Sequence, residues 1–160
     1  MTIFLLRHGE AAHAGRFHDD DRPLTQFGQR QAFAVGRYLA DTHAEVDLVY
    51  CSPLLRARQT AEAVQKSLGP VPIQTSELLL SHSSPEEIVN KLQKTSLATV
   101  LLIGHEPHLS RTISCLLWGD ERSRVDMRTC SLACVTGSDP LEKGRGTLQW
   151  VVSSDQSLKE

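Results

Sequence analysis

Three short clusters in this 160-residue chain carry residue types suited to chemistry on an anionic group. They are Arg7-His8-Gly9-Glu10, the run Ser52-Pro53-Leu54-Leu55-Arg56-Ala57-Arg58-Gln59-Thr60, and Gly104-His105-Glu106-Pro107-His108. Each supplies a guanidinium or an imidazole. A phosphoryl group in transfer spreads its charge over three equatorial oxygens, so it needs fixed positive donors around it. Arginine forks match such oxygens bidentately. A histidine becomes a nucleophile when one ring nitrogen is unprotonated and the proton on the other is held by an acceptor. Arg7 beside His8 would favour that neutral form by charge repulsion. Gly9 would let the backbone crowd the phosphate, and His105 would stand beside free N–H groups of a helix opened by Pro107.

Each cluster directly follows an apolar run. Residues 3–6, 46–51 and 99–103 read as strands, the last being uncharged and rich in branched side chains. Between them the spacing predicts a helix over 25–40, capped by Thr25, with Phe33, Val35 and Leu39 as its apolar residues. A second helix is predicted with Ser52 as cap and Pro53 at its first position, and others over 85–92 and 107–118. Alternating strands and helices predict an α/β fold: a single three-layer domain with a mostly parallel central sheet flanked by helices. Open sheets of this kind collect ligands at strand carboxyl ends, where all three clusters lie. Residues 131–136 and 147–152 read as two further strands joined through a turn-rich region at 137–146. The domain is expected to span 1–153, with 154–160 as a short tail.

Leu6-Arg7-His8-Gly9-Glu10, Pro23-Leu24-Thr25-Gln26-Phe27-Gly28-Gln29, the run from Ser52 to Ala61, and Gly104-His105-Glu106-Pro107 together resemble the histidine phosphatase superfamily, in that family's order. The resemblance covers about the first two-thirds of the chain and implies a phosphoglycerate mutase-like fold. It implies that His8 becomes phosphohistidine, that Arg7 and Arg56 clamp the phosphate, and that His105 donates a hydrogen bond to the phosphoryl oxygens. No metal or organic cofactor is implied.

The short chain, the His-x-Pro form of the third motif and Arg22-Pro23-Leu24-Thr25 resemble the SixA-type phosphohistidine phosphatases within that superfamily. One departure concerns the general acid. Where relatives that act on esters carry a glutamate, this chain reads Glu77-Leu78-Leu79-Leu80, with leucine in the acid's place; Glu77, Glu86 or Glu87 remain candidates. An ester leaves as an alkoxide unless it is protonated, and a general acid contributes roughly 10²–10⁴-fold there. The imidazole of a phosphohistidine can take its proton from solvent and leave neutral. A missing acid therefore favours phosphohistidine, borne by a histidine-containing phosphotransfer domain or a phosphocarrier protein, as the substrate. A small-molecule phosphomonoesterase and a non-catalytic phosphate- or phosphohistidine-binding module are the alternatives.

The net charge of −2 gives no reason to expect nucleic acid or an anionic membrane as partner. No apolar run approaches the ~20 residues that cross a bilayer. Four cysteines without a CxxC pair point to reduced thiols in a cytoplasmic protein. His13, His18 and Asp19-Asp20-Asp21 match no metal-ligand spacing and read as a solvated loop. Arg22 beside them either reaches the substrate or pairs with those aspartates, Arg58 reads as a solvated helix charge, and Glu10 either touches the site electrostatically or serves as a turn or cap residue.

Overall fold

The computed structural model describes residues 1–122 and 125–154. Six strands form one sheet: β1 (Thr2–Arg7), β2 (Leu48–Cys51), β3 (Ile73–Thr75), β4 (Thr99–Gly104), β5 (Leu132–Thr136) and β6 (Thr147–Val152). Their order is β3-β2-β4-β1-β5-β6, with β1, β2, β3 and β4 mutually parallel and β5 antiparallel to both β1 and β6. The expected mostly parallel sheet is present, closed on one side by an antiparallel pair. β3 was not foreseen: it is three residues long, with an exposed pattern that carries no buried apolar run.

Side chains alternate across a strand, so each central strand feeds two cores. Ile3, Leu5, Leu48, Tyr50, Val100 and Leu102 face one side. There they pack against helices α3 (Pro85–Gln93) and α4 (His108–Trp118), through residues such as Ile88, Leu92, Leu109 and Ile113. Phe4, Leu6, Val49, Cys51, Leu101 and Ile103 face the other side, covered by helices α1 (Gln26–Asp41) and α2 (Leu55–Leu68). The result is the three-layer arrangement expected.

Thr25 is the cap of α1, its hydroxyl oxygen accepting from the Gly28 N–H at 3.0 Å. The face that α1 buries is Gly28, Gln31, Ala32, Val35, Gly36 and Leu39, at helical spacing; Phe33 lies off that stripe and is exposed. The small residues let α1 lie close on α2, since a Cβ on Gly36 would come within 2.4 Å of the Val64 carbonyl. Helix α2 begins at Leu55 with Leu54 at its cap, not at Ser52 and Pro53 as expected. The Ser52 hydroxyl is engaged elsewhere. All four cysteines are buried and none forms a disulfide among the described residues. Ser154 is also buried, its hydroxyl taking a 3.1 Å hydrogen bond from Gln31 Nε2; the rest of the expected tail, 155–160, lies outside the described residues. Among the described residues no helix is long and apolar enough to cross a membrane.

Candidate active site

The order β2-β4-β1 places three parallel strand ends side by side, with Arg7 paired to Gly104 and Cys51 to Ile103. The residues immediately after those ends are His8, Ser52 and His105. Two main-chain bonds keep the turns in step: His8 N–H to the Gly104 carbonyl at 3.1 Å, and Ser52 N–H to the Ile103 carbonyl at 2.9 Å. The His8 and His105 rings stand 5.1 Å apart, inclined at 55°.

His8 is held from several directions. Its carbonyl accepts from Cys130 N–H at 3.1 Å, and Cys130 reaches it from a left-handed backbone conformation, φ 55°. Gly9 N–H donates to the Thr60 hydroxyl, which in turn donates to the Arg56 carbonyl at 2.7 Å. The His8 ring lies 2.8 Å from the Gly9 carbonyl through Nδ1. A carbonyl only accepts, so Nδ1 carries the proton and Nε2 keeps its lone pair. Burial lowers the His8 pKa to about 4, against the pull of the Gly9 carbonyl; the charges of Arg56, Arg7 and Arg22 lower it further. The imidazole is therefore neutral near pH 7.

Gly9 has a different reason from the one expected. A Cβ there would sit 2.6 Å from the Gly28 carbonyl, and a Cβ on Gly28 would sit 2.1 Å from the Glu10 carbonyl. The glycine pair lets the start of α1 press on the loop that carries His8. Glu10 completes the join: its carbonyl accepts from Thr25 N–H, its carboxylate from the Thr25 hydroxyl at 2.9 Å, and its own N–H donates to Gln31 Oε1. Of the two readings of Glu10, these bonds match the turn and cap role.

The two arginines expected to clamp phosphate lie near enough to His8 for their charges to lower its pKa. Arg7 Nη1 donates to the Met127 carbonyl at 3.1 Å. Arg56 is buried and is held by Asp19, donating to its carbonyl at 2.7 Å and to its carboxylate at 3.3 Å. Arg22 donates to the same carboxylate at 3.2 Å and to the Ala12 carbonyl at 2.8 Å. Arg22 thus pairs with an aspartate while its charge is also felt at His8. Asp19 is therefore no idle part of a solvated loop, whereas Asp20 and Asp21 are exposed.

Three buried polar atoms of this group have no hydrogen-bond partner: Arg7 Nε, Arg56 Nε and His105 Nδ1. Buried polar atoms are nearly always satisfied in folded proteins, so orphaned ones on these residues mark where a hydrogen-bond partner belongs. Burial, reinforced by His8 and Arg56, lowers the His105 pKa to about 3.

Two N–H groups at the start of α4 are taken up within the protein: Leu109 N–H donates to the His105 carbonyl and Ser110 N–H to Glu106 Oε1 at 3.0 Å. Glu106 was not singled out by the sequence reading, being masked within the motif that carries His105. Its pKa is raised by burial, and it lines a cleft of about 680 Å³ with Pro107, Ser110, Arg111, Glu121 and Asp126. His108 is fully buried, and burial lowers its pKa to about 4 against the pull of the Ser84 main chain. Among the described residues no three His, Cys, Asp or Glu side chains are grouped to hold a metal ion.

Of the acid candidates, Glu77 is exposed on a 3₁₀ turn, Glu77–Leu79, and Glu86 pairs with Lys143 at 2.5 Å. Glu87 is exposed on α3. The turn at Glu77–Leu79 runs against the strand end that carries His105, a Cβ on Gly104 lying 3.1 Å from the Leu79 carbonyl. Arg58 is exposed and donates to the Pro53 carbonyl.

A family model described as "Histidine phosphatase superfamily (branch 1)" matches residues 3–80. The phosphohistidine phosphatase SixA of Escherichia coli K12 is 30% identical over 160 residues, covering 96% of this chain and 94% of its own. A solved structure of the protein histidine phosphatase SixA complexed with tungstate superposes with a TM-score of 0.88 at 29% identity, covering 98% of this chain and 99% of that one. The alpha-ribazole phosphatase from Shigella flexneri shares the fold, with a TM-score of 0.76 at 21% identity over 96% of this chain and 97% of that one. Strand-end histidines, the arginines beside them and the fold thus converge with whole-length similarity: the chain belongs to the histidine phosphatase superfamily as a SixA-type member.

Proposed function

We propose that the protein is a phosphohistidine phosphatase that uses His8 as its nucleophile and acts on a phosphohistidine-bearing protein. The observation that carries the reading is the Nδ1 contact of His8 with the Gly9 carbonyl, which leaves Nε2 unprotonated, together with the orphaned Nε atoms of Arg7 and Arg56 and the orphaned Nδ1 of His105. Nε2 attacks phosphorus in line while the P–N bond to the target imidazole breaks, and the departing imidazole takes its proton from solvent. Water then attacks the phosphohistidine at position 8, its N–P bond breaks, and inorganic phosphate leaves. Arg7, Arg56 and His105 hold the equatorial oxygens through both displacements, with Arg22 adding charge at the edge. Likeness to SixA along the whole chain, with tungstate as a tetrahedral oxyanion in the SixA complex, supports this assignment.

The substrate class follows from the leaving group. The turn that would carry an acid for ester cleavage presents a buried Leu79 with half-buried Leu78 and Leu80, and Glu77 on it is exposed. Solvent can serve an imidazole leaving group where it cannot serve an alkoxide. The partner that fits is a histidine-containing phosphotransfer domain or a phosphocarrier, and buried cysteines without disulfides suit a cytoplasmic setting. Reaction with a ³²P-phosphohistidine protein, quenched within the turnover time, should label His8 with an acid-labile adduct that is absent from His8→Ala. Turnover without such an adduct would overturn the covalent mechanism.

A further inference from the structure

The serine expected to cap α2 has another task. Ser52 is fully buried, and its Oγ lies 2.7 Å from Nε2 of His105. The same oxygen accepts the Leu54 N–H at 3.3 Å. Among the described residues the hydroxyl proton has no acceptor besides His105 Nε2. The other ring nitrogen, Nδ1, is one of the orphaned buried atoms beside His8.

A neutral imidazole has one proton to place, and the two placements are not equivalent here. With the proton on Nε2, two donors point at one another's atoms: Nε2–H would use the serine oxygen, the hydroxyl proton would be stranded, and Nδ1 would offer a lone pair to an incoming anion. With the proton on Nδ1, Ser52 donates to Nε2, every local donor and acceptor of the serine is used, and Nδ1–H is left as a donor. We propose that Ser52 is a positioning residue that sets the tautomer of His105, holding its proton on Nδ1 for the phosphoryl oxygens. This deepens the phosphoryl-transfer reading and rests on it for its purpose, but the tautomer belongs to the free protein and is measured there.

The strand order explains why a serine can do this. Ser52 and His105 are 53 positions apart, yet β2 and β4 are neighbours in the sheet and deliver them side by side. A histidine in the wrong tautomer presents repulsion where the transition state needs a donor, the fault known to be severe when the orienting group of a catalytic histidine is changed.

The test is a long-range ¹H–¹⁵N correlation spectrum of the ¹⁵N-labelled protein in phosphate-free buffer at pH 7, with His105→Asn identifying the His105 signals. The expected result is Nδ1 in the protonated range and Nε2 in the unprotonated range. In Ser52→Ala the pattern should move to a mixture or to the Nε2–H form. The kcat/KM on a phosphohistidine protein should fall about 10- to 100-fold, mostly in kcat, with Ser52→Thr recovering much of it. An Nε2–H tautomer in the unsubstituted protein overturns the proposal, as does an unchanged Nδ1–H pattern in a folded Ser52→Ala. If Ser52→Ala does not fold, the spectrum of the unsubstituted protein still decides. Failure to find an adduct on His8 would sink the phosphatase mechanism while leaving the tautomer result standing, so the two failures are distinguishable.

Discussion

Arg56 and Asp19 are joined twice: the guanidinium takes both the main-chain carbonyl and the side-chain carboxylate of Asp19. Arg56 is nearly closed off at 9% side-chain exposure, whereas Asp19 is 60% exposed. The aspartate is thus an intramolecular anion shared by the Arg56 and Arg22 guanidinium groups. Asp19→Asn keeps the main-chain acceptor and removes one negative charge. Inhibition by inorganic phosphate should become about 3- to 10-fold tighter, while kcat falls modestly as Arg22 loosens. Unchanged or weaker phosphate inhibition, read from initial rates at fixed ionic strength, would refute the charge argument.

The pH dependence should be unusual for a histidine enzyme. His8 stays neutral down to about pH 4, so the acid limb of kcat/KM should lie near 4 and not near 6.5. Stability behaves differently. His8, His105 and His108 have native pKa values near 4, 3 and 4, below the ~6.5 of an unfolded histidine. Between about 6.5 and 4 the unfolded chain binds protons that the native one does not, so stability rises with pH and is lost on acidification. The two fully enclosed rings, His105 and His108, should each contribute roughly 1.4 kcal/mol per pH unit across that window. Urea unfolding at several pH values checks this; a flat profile from 6.5 to 5 would contradict it.

Alanine in place of an interior helical glycine normally stabilises by about 1 kcal/mol. Gly28→Ala should do the reverse, because its Cβ would meet the Glu10 carbonyl at 2.1 Å and the backbone must shift. Melting temperature and kcat should drop together, since the displaced loop carries His8. Gly15→Ala, where nothing lies within 4 Å of the added carbon, is the control and should leave both unchanged.

Glu77→Gln should leave turnover of a phosphohistidine protein within about two-fold, since the carboxylate is exposed and imidazole departure does not need it. Fast hydrolysis of phosphate esters that disappears in Glu77→Gln would reverse the assignment of substrate class.

Much of this site was legible because its residues sit next to strands with strong apolar runs. β1, β2 and β4 differ from their expected ranges by only one or two residues at an end, and the clusters that follow them meet as parallel-sheet geometry requires. What was not legible depends on contacts across the sheet. Ser52-Pro53 has the local form of a helix start, but tertiary bonding to His105 outweighs that preference, and α2 begins at Leu55. Phe33 has the composition of a core residue but lies one position off the buried stripe of α1. Asp19 resembled a loop charge because its partner, Arg56, is remote in sequence. Gly9 looked like a phosphate-facing glycine, and only the approach of Gly28 shows that helix packing needs it.

The placement of His8, Ser52 and His105 on the ends of three different strands has a consequence for how the protein comes into being. His8, Ser52 and His105 are far apart along the chain, so no short local segment brings them together and a nascent or partly folded molecule has a histidine without its neighbours. Competence arrives only when β4 has inserted between β2 and β1, the step that closes the longest loops in the parallel part of the sheet. Recovered phosphatase activity would then be a late and all-or-none marker in refolding, appearing after helical signal and never ahead of the completed sheet.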